Sequence, residues 1–485
     1  MPEAAEEEPT VNRWTPLVLL TVLAAAVRFA TLDVQSFWYD EALTVGLVNG
    51  SFGDMLEGVF NTQAQPPPYF ILAWIWAHVF GDGEVGLRSL SALLGTLTVP
   101  VVYFATDIVA GRRVALVAGI LTALSPPLIW YSQEARGYAL LTLLAALSLL
   151  FFLKALERPN RRNLALWTLT SLIAVASHYF ALFIVLPAAA WLLWRGVERR
   201  TALPYIGAIG VGLIAIAPML LYQREHGGAD WIGRLDFSTR LKDTAVFFAG
   251  GPLLPGPINT RAIVAVAAVL VFALTLYAAF RWTHGLKRER FVAVLTLGIA
   301  GVALPLAAAL VGFDFFLYRN LLPAWVPLVI VAAVGLSVLR PRWLGRVLTV
   351  LPCLLFVVIG IAVPTEDHLQ RDDWRTVAET LGPATRDRVV EAVPFWQGEG
   401  LRVYEPGLEP MTEPRRVSRV VVVSLDAFPT LPPSRLFQEA RTLEFERIRV
   451  TEYTAPQPVL VKPEALTGVG RDAAMPLFEP AADAP

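Results

Sequence analysis

Long apolar runs, parted by short charged breaks, fill the chain up to about residue 363. A helix needs about 20 apolar residues to cross a bilayer, and that measure predicts about eleven spans. They fall at roughly 15–32, 86–106, 114–130, 138–157, 164–178, 180–195, 203–222, 261–280, 291–311, 320–339 and 346–363. The stretch "PYFILAWIWAHVFG" at 68–81 is shorter and rich in aromatics. It predicts a helix lying along the membrane surface. After residue 364 the pattern changes. "DHLQRDDWRTVAETLG" predicts an amphipathic helix. "DRVVEAV", "SRVVVVSL" and "FERIRVTEYT" predict strands, with a helix over "PPSRLFQEAR" between them. These elements make a small α/β domain over 364–465. The Pro/Ala-rich residues 466–485 predict a disordered tail.

Composition agrees with the pattern. Of 485 residues, 55% are hydrophobic and 17% charged, and the mean hydropathy is +0.54. A soluble chain of this length carries more charge, so the fold class is an α-helical polytopic membrane protein with a small C-terminal α/β domain. The net charge of −1 points to no nucleic-acid partner. The single cysteine, Cys353, excludes an intrachain disulfide and a cysteine-based metal cage.

The breaks between spans sort by charge. "GRR" at 111–113, "KALERPNRR" at 154–162, "RGVERR" at 195–200, "RWTHGLKRER" at 281–290 and "RPRWLGR" at 340–346 are basic and alternate. Such loops stay in the cytoplasm. The expected topology is a cell-membrane protein with residues 1–14 as a cytoplasmic tail and the C-terminal domain outside. The acidic start "MPEAAEEEP" suits a retained anchor better than a cleaved signal, which begins basic. The connections 33–85, 131–137, 223–260 and 312–319 then face outward.

Those outward connections hold the candidate chemistry. In "SFWYDEALTVG", Asp40 and Glu41 follow the first span within a long outer loop, 33–85. Asp40 reads equally as a helix N-cap. "IWYSQEARGYALL" sets Gln133, Glu134 and Arg136 between two spans. Polar groups there pair with one another or meet a ligand. His178 lies in "ASHYFAL", as an interfacial residue or a weak metal ligand. Arg319 and Asn320 open the helix at "YRNLLPAW", where cation and helix N-terminus together suit an anion, although a snorkelling arginine reads the same way. No nucleotide-binding fingerprint occurs. Acids and arginines gathered on one membrane face suit a lipid-phosphate substrate.

"FWYDEALTV" followed by "QPPPYFILAWIWAHVFG" resembles the first outer loop of the GT-C glycosyltransferases. The resemblance is to the family 39 branch: protein O-mannosyltransferase-like, aminoarabinose-transferase-like and RgtA/B/C/D-like proteins. "YSQEARGYALL", "SHYFALF" and "YRNLLPAWVP" resemble later blocks, so the likeness covers about residues 15 to 340. It implies a membrane enzyme that moves a sugar from a polyprenyl-phosphate donor to a glycan, lipid or protein acceptor outside the cytoplasm. Asp40 matches the general base and Glu41 its neighbour. Arg136, Arg319 and Gln65 fall at donor-phosphate positions. Gln133, Glu134, His178 and Tyr69 are left for acceptor binding or loop positioning. Gln65 stands where relatives often carry His or Lys. A neutral amide there puts a divalent metal in doubt, and no other cofactor is implied. One base and one displacement imply inversion at the anomeric carbon. The alternative is a lipid or glycolipid transporter, which would show paired broken helices in two similar halves. No such halves are visible in the sequence.

Overall fold

In the computed structural model the described residues are 14–195, 199–251, 258–382, 385, 387–426, 433–466 and 475–478. Most of the expected N-terminal tail, and 467–474 and 479–485 of the expected C-terminal tail, lie outside them. In chain order the first helices are α1 (Thr15–Phe29), α2 (Tyr39–Val48), α3 (Phe52–Thr62), α4 (Pro68–Phe80), α5 (Glu84–Ala110), α6 (Arg112–Leu124) and α7 (Pro126–Ser132). Next come α8 (Tyr138–Glu157), α9 (Arg161–Ser177), α10 (Leu182–Trp194), α11 (Arg199–His226), α12 (Trp231–Arg234) and α13 (Phe237–Ala249). The remainder are α14 (Ile258–Trp282), α15 (Gly285–Leu310), α16 (Leu322–Val338), α17 (Arg342–Thr365), α18 (Trp374–Leu381), α19 (Gln397–Tyr404) and α20 (Pro463–Leu466).

Among the described residues seven helices are long and apolar enough to cross a membrane, and α6 with α7, bent by 55° at their break, would make an eighth. The protein is an α-helical polytopic membrane protein. A helix stands at each expected span, but α1, α9 and α10 fall short of spanning length. Hydropathy counts apolar residues, whereas helix length depends on where the backbone stops. His178, in extended conformation, ends α9. Ser125, ahead of Pro126 and Pro127, ends α6.

The chain divides into two compact units. The first comprises residues 1–32 and 51–362, the second 33–50 and 363–485. The long loop 33–85 was expected to belong wholly to the membrane part; its first third, 33–50, instead folds with the C-terminal domain.

In the first unit α1 packs on α5 and α6, with Leu17, Leu20 and Ala24 against Val99, Tyr103, Ala115 and Ala123. Arg28, near the end of α1, is fully buried. Its guanidinium donates to the carbonyls of Ala24, Ala123 and Thr122 and to Ser132 Oγ, at 3.0–3.2 Å. Two of those carbonyls close the last turn of α6, so Arg28 caps the helix at its break. Gln133 answers from the other side, donating to Arg28 O (3.1 Å) and Thr31 Oγ1 (2.7 Å) at the end of α1.

The second unit is built on a sheet of β1 (Arg388–Val393), β2 (Glu409–Pro410), β3 (Arg415–Leu425), β4 (Gln438–Phe445), β5 (Ile448–Val461) and β6 (Met475–Phe478). The order is β2-β6-β1-β3-β5-β4, with only β1 and β3 parallel. The run Val420–Val423 alternates: Val421 and Val423 face Trp374, Val377 and Leu401 of α18 and α19, while Val420 and Val422 meet Tyr453, Phe437 and Phe478. Two expectations change here. Residues 438–441 of "PPSRLFQEAR" form strand β4, because a tight turn at Glu446 returns the chain onto β5 and ladder pairing outweighs helix propensity. Residues 475–478 of the expected disordered tail form β6, which buries Leu477 between β1 and β2.

Candidate functional site

Asp40 and Glu41 belong to the second unit. The first turn of α2 begins after Trp38, so Asp40 is not the N-cap. Asp40 is half-buried and Glu41 fully buried. The segment leading into α2 is bound to residues 371–404. Gln35 Oε1 accepts from Arg371 N (3.0 Å). Ser36 Oγ donates to Asp372 O (2.8 Å) and accepts from Trp374 N (3.0 Å). Phe37 N donates to the Tyr404 hydroxyl (2.6 Å). Arg371 Nε stands 4.0 Å from Glu41 Oε2, and both side chains are almost fully buried. Burial pushes the Asp372 carboxyl above its usual range, opposed by the Arg447 guanidinium 3.2 Å away.

The other candidates lie in the first unit, and several meet around Gly137 and Tyr138. Arg136 is buried and donates through Nη1 to Gln63 Oε1 (2.8 Å). Its guanidinium also stands 5.5 Å from the Phe70 ring centroid. A Cβ on Gly137 would lie 3.3 Å from Gln65 Oε1 and 3.4 Å from Tyr69 Cβ, so this close approach suits glycine. Tyr69 pairs its hydroxyl with Ser91 Oγ at 3.1 Å. The Tyr138 ring lies 5.9 Å from His178 and 5.7 Å from the Arg319 guanidinium. Arg319 stands also 5.5 Å from the Trp231 ring. His178 Nδ1 accepts from Phe180 N (3.3 Å). Gln133 is set apart by its bonds to α1, and Glu134 is fully buried in the turn between.

Residues without sequence signal hold this cluster. Gln223 donates to Val59 O (3.1 Å) and Gln65 O (3.2 Å), fixing the entry to the triple proline, and accepts from the Tyr179 hydroxyl (2.7 Å). Arg240 of α13 grips Asp314 with two bonds of 2.6 and 2.7 Å and donates to Phe316 O (2.9 Å). This fork holds the Asp314 carboxyl below its usual range and fixes the strand of chain leading to Arg319. Arg28 alone left a trace in the sequence, as a lone cation in an apolar run. Among the described residues no three His, Cys, Asp or Glu side chains are grouped to hold a metal ion.

Residues 64–222 match the family model described as dolichyl-phosphate-mannose-protein mannosyltransferase. No curated protein sequence matches the chain. Among solved structures the chain is similar to ArnT from Cupriavidus metallidurans. The apo form has a TM-score of 0.60 at 14% identity, covering 90% of this chain and 97% of that one. The form bound to undecaprenyl phosphate has a TM-score of 0.55 at 15% identity, covering 91% and 98%. At such identity the likeness is one of fold. The fold is therefore that of ArnT, and the match to the mannosyltransferase family model covers the blocks around Gln65, Arg136 and His178.

Proposed function

We propose that the protein transfers a sugar from a polyprenyl-phosphate donor to an acceptor hydroxyl on the extracytoplasmic side, with inversion. Asp40 takes the proton of the acceptor hydroxyl as its oxygen bonds to the anomeric carbon. The bond from that carbon to the phosphate oxygen breaks, and polyprenyl phosphate leaves with the electron pair. Arg136 and Arg319 hold the departing phosphate, and Gln65 donates to it. A phosphate leaves readily, so one base and preorganised cations suffice. The observation that carries the reading is the gathering of Arg136, Arg319, Gln65 and Tyr69 around Gly137–Tyr138. Guanidiniums walled by aromatic rings and partly shielded from water suit a phosphate ester better than a neutral ligand. That ArnT was solved with undecaprenyl phosphate supports the same lipid class here.

Alternation of basic loops supports an inside N-terminus and an outside C-terminal domain. A reporter fused after residue 365 is expected outside, and one after Arg113 inside.

The decisive test is Asp40→Asn in purified protein, with transfer measured against matched folding controls. Because Trp38, not Asp40, occupies the cap, the amide leaves the helix intact. Rate is expected to fall about a hundredfold or more, the usual share of a general base. Near-normal turnover would remove Asp40 from the chemistry.

A further inference from the structure

The segment that carries Asp40 folds as part of the C-terminal domain. Residues 33–50 share one compact unit with 363–485. The bonds between them run from three consecutive residues of the first segment: Gln35 with Arg371, Ser36 with Asp372 and Trp374, Phe37 with Tyr404. Arg375 adds a bond to Asp33 O at 3.1 Å. The series holds the side chains of Gln35 and Ser36 and the backbone N–H of Phe37, directly ahead of the first turn of α2.

Within that dock Arg371 and Glu41 pair next to Asp40. Glu41 is fully buried. A buried carboxylate is costly unless a cation stands near it. Arg371 supplies that cation at 4.0 Å, and Arg371 belongs to the same short stretch that binds Gln35 and Ser36. Glu41 and Asp40 are adjacent on the first turn of α2. A shift of the Glu41 side chain to find water would rotate that turn and carry Asp40 with it.

From this dock we infer that the C-terminal domain is an obligatory part of the catalytic apparatus, and that Arg371 is a positioning residue that orients Asp40 through Glu41. The inference rests on the reading of Asp40 as the base. It reverses the simplest expectation for such a domain, that it tunes acceptor choice and can be removed without loss of donor turnover.

The test uses the full chain in detergent. Turnover is followed as undecaprenyl phosphate released from undecaprenyl-phosphate-linked mannose. Hydrogen exchange of residues 35–48 is followed without any substrate. Arg371→Met is expected to lower kcat about tenfold or more with donor KM nearly unchanged, and to speed exchange over 35–48. Arg371→Lys is expected to recover part of kcat, because it restores the charge. Glu41→Gln combined with Arg371→Met should be no worse than the poorer single variant, since both remove one pair. Ser36→Ala, which loses two bonds of the dock, should act in the same direction and decides the matter if Arg371→Met does not fold. Normal kcat in folded Arg371→Met or Ser36→Ala, with Asp40→Asn inactive, would overturn the inference. If Asp40→Asn were fully active, the base reading would fail instead. Unchanged exchange over 35–48 would then overturn the dock as well.

Discussion

Arg28 and Glu391 are both buried charged side chains, one in each unit, and they are treated in opposite ways. Arg28 meets two carbonyls at the end of α6, one in its own helix α1 and the Ser132 hydroxyl of α7. Glu391, in the middle of β1, faces the sheet side of Val389 and Val422 and has no hydrogen bond or ion pair to its carboxylate among the described residues. Burial pushes its carboxyl up to about 8. A guanidinium carries five donors, and helix ends supply spare carbonyls, so an arginine is easily satisfied inside a helical unit. A carboxylate needs N–H donors, and a sheet has already spent its own on the ladder. The first unit therefore uses buried arginines as fasteners, Arg28 at a helix break and Arg240 on Asp314. The second unit sets Arg371 beside Glu41 and leaves Glu391 to take up a proton.

The comparison predicts that arginines of the first unit differ by what they hold. Arg136→Gln and Arg319→Gln should weaken undecaprenyl phosphate binding by about tenfold to a hundredfold each, the worth of a hydrogen bond to a charged group. A fluorescence titration would measure it. Equal affinity in both variants would reduce these arginines to fasteners like Arg28.

The next effect sharpens the Glu391 half. Its folded-state value of about 8 lies above the ordinary 4.5, so the folded protein holds an extra proton between those values. Stability is then fully present below 4.5, falls as pH rises toward 8, and levels off above. The slope is at most about 1.4 kcal/mol per pH unit, or about 2 kcal/mol between pH 5 and 7. Melting of the C-terminal domain within the full chain at several pH values should show this slope, and Glu391→Gln should abolish it. A flat profile in the unmutated protein would mean that Glu391 has donors after all.

The smallest effect concerns the space around Arg28. A Cβ at Gly95 would run into Ser132 Oγ and lie 3.1 Å from Arg28 Nε. Gly95→Ala should cost about 1–3 kcal/mol as overpacking. Gly210→Ala in α11, with nothing within 4 Å, should be neutral or slightly stabilising. Thermal midpoints in detergent would compare the two. Equal midpoints would show that the Arg28 fastening tolerates displacement.

By itself the sequence determined the membrane class, the places of the long apolar helices, the strands β1, β3 and β5, and the blocks within 64–222 that match the family model. These follow from runs and alternations within about 20 residues, where burial acts directly on local composition. Only the tertiary structure decided that 33–50 folds with the C-terminal domain, since Ser36 and Asp372 are joined across 336 positions. It also decided that "QEAR" is a strand, through pairing with β5, and that α6 breaks where Arg28 caps it. The same holds for Arg136 meeting Gln63 and for Arg371 standing beside Glu41. A polar residue's role is set by which partner reaches its hydrogen-bonding atoms. Partners brought from distant parts of the chain leave no period or composition for the sequence to display.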